Sequence, residues 1–168
     1  MSTVPNLPRA QWRSHPRFRT QALLLGSHRN FRLLARDVRR LAQSRPEPAG
    51  RRFRAWMYAM GSHEHYEESK LYPYLERRWG VSMARLVEGH EALDRCKAEV
   101  FDGFARVQGE GSGAAGQLDR ALLRLTEVLD AHLDLEEETV IPLLLELEPD
   151  EFADYYALPI GTLLARMA

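Results

Sequence analysis

The chain has 168 residues, 45% of them hydrophobic and 28% charged, which is enough for one domain with a real core. No apolar run reaches membrane-spanning length, and the start lacks the basic-then-apolar order of a secretory signal, so the cytoplasm is the expected location and no membrane partner is expected. The one cysteine, Cys96, excludes an intrachain disulfide framework and a cysteine-based zinc site. The net charge of −1 hides an asymmetry: residues 1–60 carry 13 Arg against Asp37 and Glu47, a balance of +11, and the remainder carries −12. No nucleic-acid motif accompanies the basic half, so a nucleic-acid partner is not expected. The two halves are expected to face each other, within the fold or in an oligomer.

Residues 1–16 hold three prolines and read as an N-terminal arm. From there the pattern is helical. Leu24, His28, Phe31, Ala35, Val38 and Leu41 form one stripe at spacings of three and four. A break is expected at SRPEPAG, residues 44–50. Trp56, Met60, His63, Glu67, Leu71 and Tyr74 form a second stripe, which ends near Trp79-Gly80. Met83, Leu86, His90, Leu93, Val100 and Phe104 form a third, interrupted at Cys96-Lys97. GEGSGAAG, residues 109–116, reads as a flexible connection. Leu118, Leu122, Leu125, Leu129, His132, Glu136, Val140 and Leu143 form the fourth. Pro149-Asp150 opens a further short helix, and residues 158–168 read as a packed tail. The expected fold is all-α: an up-down-up-down four-helix bundle over 17–148, with a short C-terminal helical extension over 149–168.

Each stripe carries one histidine near its middle, and the second and fourth also carry a glutamate. His63 and Glu67 are four apart, as are His132 and Glu136, so each pair stacks on one helix face. A glutamate is almost never buried without a partner, because an unpaired carboxylate costs several kcal/mol to bury. A histidine alone on an apolar stripe is ordinarily a hydrogen-bonded core residue. Four of them, one per helix, with two glutamates, are a poor core unless something compensates them. A metal does so. Loop lengths place His28 level with His63, and His90 level with His132. The middle connection fits less well, since His63 lies farther from Gly80 than His90 does. Pro73 and Pro142 each remove a helix bond and are expected to kink or end their helices beyond the site. His65 points away from His63 and reads as surface, His15 reads as solvated, and the tyrosines read mainly as packing.

The repeat is ungapped. HEHYEESKLYPYLE begins at His63 and HLDLEEETVIPLLL at His132. A helix pair carrying His, then His-x-x-x-Glu, thus occurs twice, which suits a site for two metals. Imidazole and carboxylate donors without thiolate suit iron or manganese, and also zinc; two metals sharing carboxylates point to iron. The chain has no Glu-x-x-His, which argues against a ferritin-like di-iron site.

At these residues, over roughly residues 20–147, the sequence resembles the hemerythrin-like family, the HHE cation-binding domain. The resemblance implies an oxo- or hydroxo-bridged di-iron centre. It implies that Glu67 and Glu136 bridge, with His28 and His63 on one iron and His90 and His132 on the other. Two departures stand out. Oxygen-carrying hemerythrins resemble this pattern but have a further histidine where this chain has Leu86. Their last carboxylate is an Asp five residues after its His, where this chain has Glu136 at four. One fewer imidazole implies a more open site and favours redox turnover of dioxygen or hydrogen peroxide, including catalase-like turnover, over oxygen carriage. The alternatives are a non-enzymatic sensor or binder of oxygen, nitric oxide or iron, and a di-iron oxygenase acting on an organic substrate. The electron donor is not legible, and a monomer or homodimer is expected.

Overall fold

The computed structural model describes residues 4–167, without the side chains of residues 110–112. Residues 1–3 of the expected arm and residue 168 of the tail lie outside that description. The described backbone is helical, with no strand. Its elements are α1 (Arg9–Trp12), α2 (Phe18–Gln21), α3 (Leu24–Ala42), α4 (Pro46–Tyr66), a π turn (Glu67–Leu71), α5 (Tyr72–Trp79), α6 (Ala84–Glu110), a 3₁₀ turn (Gly111–Ala114), α7 (Ala115–Leu145), α8 (Pro149–Ala157) and α9 (Ile160–Arg166). Helix α3 packs on α4 and α7, and α6 packs on the same two, so the four long segments form a helical bundle.

Several breaks expected from sequence are helical in the structure. Residues 46–50 already belong to α4, because Pro46 and Pro48 sit in a first turn that needs no N–H from them. Residues 109–116 run through the end of α6 and the 3₁₀ turn directly into α7. The third stripe is not interrupted at Cys96-Lys97. Cys96 is buried, and the Lys97 ammonium reaches both Glu64 carboxylate oxygens at 2.7 Å and Asp94 at 2.9 Å. Neither internal proline ends its helix. Pro142 lies within an unbroken α7, and Pro73 follows the π turn into α5. The real stop after α5 is Gly80, at φ 68°, a left-handed position that glycine adopts without penalty.

Two apolar clusters fill the bundle, with the histidines and glutamates between them. One contains Phe31, Phe53, Met60, Leu93, Leu129 and Leu133. The other contains Leu71, Leu86, Val140 and Leu143, and extends to Tyr155 and Leu163 of the C-terminal helices. Each long helix therefore passes from one apolar layer through a polar layer at His28, His63/Glu67, His90 or His132/Glu136. A third cluster joins Trp12 of α1 to Ala22, Ile141 and Leu145, and the Trp12 indole donates to the Leu7 carbonyl at 2.8 Å. Residues 9–12 thus pack against the bundle.

The charge asymmetry resolves within the fold. Arg32 on α3 meets Asp130, Asp134 and Glu137 on α7 at 3.4, 2.9 and 2.6 Å. Arg39 makes a two-pronged contact with Asp119. The basic half lies against acidic residues of the other half. Exposed pairs of this kind stabilise little, so the apolar layers carry the fold. Phe53 is fully buried. Phe53→Ala should destabilise the protein by about 3–5 kcal/mol in denaturant unfolding.

Candidate metal centre

The centre is built around one turn of the second helix. His63 lies in the last α-helical turn of α4, and Glu67 opens the π turn. Pro73 has no N–H to give, and the backbone adapts before it: the Tyr72 N–H donates to the Glu67 carbonyl, five residues back. The extra residue rotates the remainder of the helix, and Tyr72 enters the polar layer. Its hydroxyl donates to Glu136 Oε1 at 2.7 Å. The fourth helix carries its proline, Pro142, without such a turn. Ile141, which matches Tyr72 in the repeat, packs with Trp12 instead.

Four of the six residues singled out in the sequence form one candidate ligand group, and His90 and His132 lie beside it, outside that group. His28, His63, Glu67 and Glu136 each offer a donor atom within 4.8 Å of the others. Glu67 divides its oxygens: Oε1 lies 2.7 Å from His63 Nε2 and 3.9 Å from His28 Nε2, and Oε2 lies 3.4 Å from His90 Nε2. Glu136 Oε2 lies 3.4 Å from His28 Nε2 and 3.8 Å from His132 Nε2. The rings of His28 and His63 are 5.3 Å apart, and those of His90 and His132 4.7 Å. The mismatch expected at the middle connection disappears, because His90 is level with Glu67 and Glu68, one turn beyond His63. His65 is exposed, as its direction on the helix requires. His15 is less solvated than expected, half-buried with Nε2 3.8 Å from Glu146.

Two further carboxylates hold the histidines from behind. Glu137 Oε1 lies 3.1 Å from His28 Nδ1, and Arg32 donates to that same oxygen at 2.6 Å. Glu68 Oε1 lies 2.7 Å from His90 Nδ1. A carboxylate on Nδ1 turns Nε2 inward and raises its basicity. These are the second members of the two Glu-Glu pairs in the repeat. Sequence spacing alone assigns them no role, yet a signal is present in it. One position onward turns a side chain about 100° around a helix, away from the shared centre and toward the neighbouring helix.

Buried polar atoms almost always find a partner. Here Nε2 of His28, His63 and His90, both oxygens of Glu67, and Glu136 Oε2 have no hydrogen-bond partner. These six atoms converge in the buried middle of the bundle. Imidazole and carboxylate are the donor set of a first-row cation, so the residues fit a metal. The family model described as Hemerythrin HHE cation binding domain matches residues 19–144. The chain belongs to the hemerythrin family. No curated protein and no solved structure is significantly similar to it. Membership of a cation-binding family and a buried His/Glu group together make this a metal-binding domain.

Without a metal, the charges of this hemerythrin-family centre settle unevenly. Burial works against an ionised Glu67, but the close approach of the His28, His63 and His90 imidazoles outweighs it and holds the carboxyl well below its usual range. Burial and the neighbouring Glu67 charge push the Glu136 carboxyl well above its usual range. Burial would lower His90, but its contacts with Glu67 and Glu68 prevail and raise it to about 9. Burial and the charge of His90 lower His132 to about 4, leaving it neutral. Burial, above all, pushes the Tyr72 phenol up, so it stays a donor.

Gly89 is a second residue whose role the sequence does not announce. A Cβ built there would stand 2.2 Å from His132 Nδ1 and 2.9 Å from its Cε1. Only glycine lets α6 come this close to the imidazole. Gly89→Ala should weaken metal binding by about tenfold or more, because displaced ligand geometry costs that much. Unfolding of the metal-free variant should show a loss of about 1–3 kcal/mol, because the buried His132 ring must shift to admit the methyl group.

The pH response of the metal-free protein follows from His90. Its unfolded value is 6.5 and its folded value about 9, so the charged, paired imidazole stabilises fully below pH 6.5 and is lost as pH rises through 9. Thermal unfolding of metal-free protein should show a loss on the order of 3 kcal/mol across that window. Metal-loaded protein should not show it, because the metal takes the proton's place.

Proposed function

We propose that the chain holds two iron ions among His28, His63, Glu67, His90, His132 and Glu136, and that it is redox-active towards dioxygen or hydrogen peroxide. The observation that carries this reading is the convergence of six unpartnered donor atoms, from His28, His63, Glu67, His90 and Glu136, in the buried middle of the bundle. The split of Glu67's oxygens between His28/His63 and His90 supports a bridging role for that residue. When bound, such a centre polarises a small oxidant and exchanges electrons with it.

The protein's own residues prepare the centre. Glu137 and Glu68 hold the Nδ1 sides of His28 and His90. Tyr72 occupies Glu136 Oε1 and leaves Oε2 facing His28 and His132. Apolar layers above and below exclude water. His63 is the most exposed of the six, with 14% of its side chain accessible, and it forms part of the wall of a chamber of about 400 Å³ that opens outward. A small oxidant has its entry there.

The order in which each helix passes the two apolar clusters supports an up-down-up-down bundle over 17–148. The packing of α8 and α9 supports treating 149–168 as an extension, and we read 1–16 as an arm. The donor set, without thiolate, favours iron over zinc.

Elemental analysis of protein expressed with iron available should find about two iron ions per chain. The Glu67→Ala/Glu136→Ala variant should lose most of them. Little metal in both would sink the reading. In a peroxide-consumption assay, loaded parent should outpace His63→Ala by about tenfold or more, the usual scale for damage to a metal's ligand set. Equal rates would remove turnover from the proposal while leaving the metal.

A further inference from the structure

The chamber beside His63 is larger than a diatomic oxidant needs. Its volume of about 400 Å³ lies in the range of small-molecule sites. Helix α8 closes it, with Phe152, Tyr155 and Tyr156 on the wall opposite the start of α3. That helix is tied down at several points: Arg78 and Tyr74 both bond Glu151, Lys70 donates to the Tyr156 carbonyl, and the Tyr66 and Tyr155 hydroxyls share a hydrogen bond. A tail needed only to cover the bundle would be expected to fill this space.

The lining specifies a chemistry. Among the described residues it includes no Asp, Glu, Lys or Arg, so a charged ligand would lose its water without gaining a counter-charge. Four of its side chains, Tyr66, Phe152, Tyr155 and Tyr156, are aromatic, which suits a flat ring. Tyr66, Tyr156 and Leu23 are 36%, 65% and 53% exposed, which makes the rim apolar as well. The wall also carries polar groups, among them Ser27, His63 and Gln21. Gln21 is buried, and its amide nitrogen donates to the Leu147 carbonyl at 3.0 Å, while its Oε1 has no partner. A buried carbonyl oxygen without a donor is costly, and this one belongs to a residue of the chamber wall.

We infer that the chamber is a binding site for a neutral aromatic alcohol, seated against His63 with its hydroxyl donating to Gln21 Oε1. The inference goes beyond the proposed iron chemistry: it names an organic ligand for the space next to the centre, and binding does not require the metal.

The test is a calorimetric titration of metal-loaded protein with three probes of similar shape: p-cresol, its methyl ether, and 4-methylbenzoate. Iron content is measured on the same preparations. Saturable binding of p-cresol is expected, with each of the other probes at least about tenfold weaker, because one lacks the donor and the other carries a charge. Ser27→Trp, which fills the chamber, should abolish p-cresol binding with iron content unchanged. Gln21→Leu should bind p-cresol and its ether equally. Absence of saturable p-cresol binding below millimolar concentration would overturn the inference. So would equal binding of the three probes by the parent, or undiminished binding by folded Ser27→Trp. Iron without p-cresol binding would end this inference and leave the metal reading standing; p-cresol binding without iron would do the reverse.

Discussion

Two carboxylates and four imidazoles share the middle of a bundle whose remaining interior is apolar. That burial is the constraint on which the rest of the structure depends. Ions taken out of water lose several kcal/mol each unless something replaces the lost hydration. Hydrogen bonds compensate only part of it here. Glu137 and Glu68 satisfy the outer nitrogens of His28 and His90, and Tyr72 satisfies one oxygen of Glu136. The inward-facing atoms are left bare. A cation is the one species that answers all of them at once, and the chain's place in a cation-binding family agrees.

The repeat is nearly symmetric in sequence and less so in space. Each half places a histidine on one helix and His-x-x-x-Glu-Glu on the next, and each second glutamate supports the lone histidine of the other half. The π turn breaks this symmetry. It lies beside Glu67 and not beside Glu136, and it delivers Tyr72 to the polar layer where its counterpart, Ile141, joins an apolar cluster. The two glutamates consequently differ. Glu67 presents both oxygens to three histidines, which pull its carboxyl down, whereas Glu136 presents one and is pushed up by burial and by Glu67. A difference of this kind makes the two halves of the site unequal.

The centre is sealed by apolar layers along the bundle and opens beside His63. The C-terminal helices shape that opening. Leu163 of α9 and Tyr155 of α8 belong to the same apolar cluster as Leu71 and Leu86, so the extension is continuous with the core beyond the polar layer. The space it leaves unfilled is the chamber.

Much of the site was legible in the chain alone, because helical periodicity converts spacing into direction. His28, His63, Glu67, His90, His132 and Glu136 stood on the apolar stripes at fixed intervals, and a buried carboxylate demands an explanation wherever it occurs. Helical class, the polar layer and its donor chemistry followed from that. The family resemblance followed from the repeat. Local spacing says nothing, however, about which side chains on neighbouring helices meet. Support of His28 by Glu137 and of His90 by Glu68, the approach of Gly89 to His132, and the level at which His90 meets Glu67 all depend on how helices distant in sequence pack together. The responses to proline and glycine were also tertiary decisions. Packed neighbours kept α7 helical through Pro142, a π turn absorbed Pro73, and a glycine-rich segment stayed helical between two long helices. Propensity is a matter of about 1 kcal/mol per residue, and packing of the bundle outweighs it.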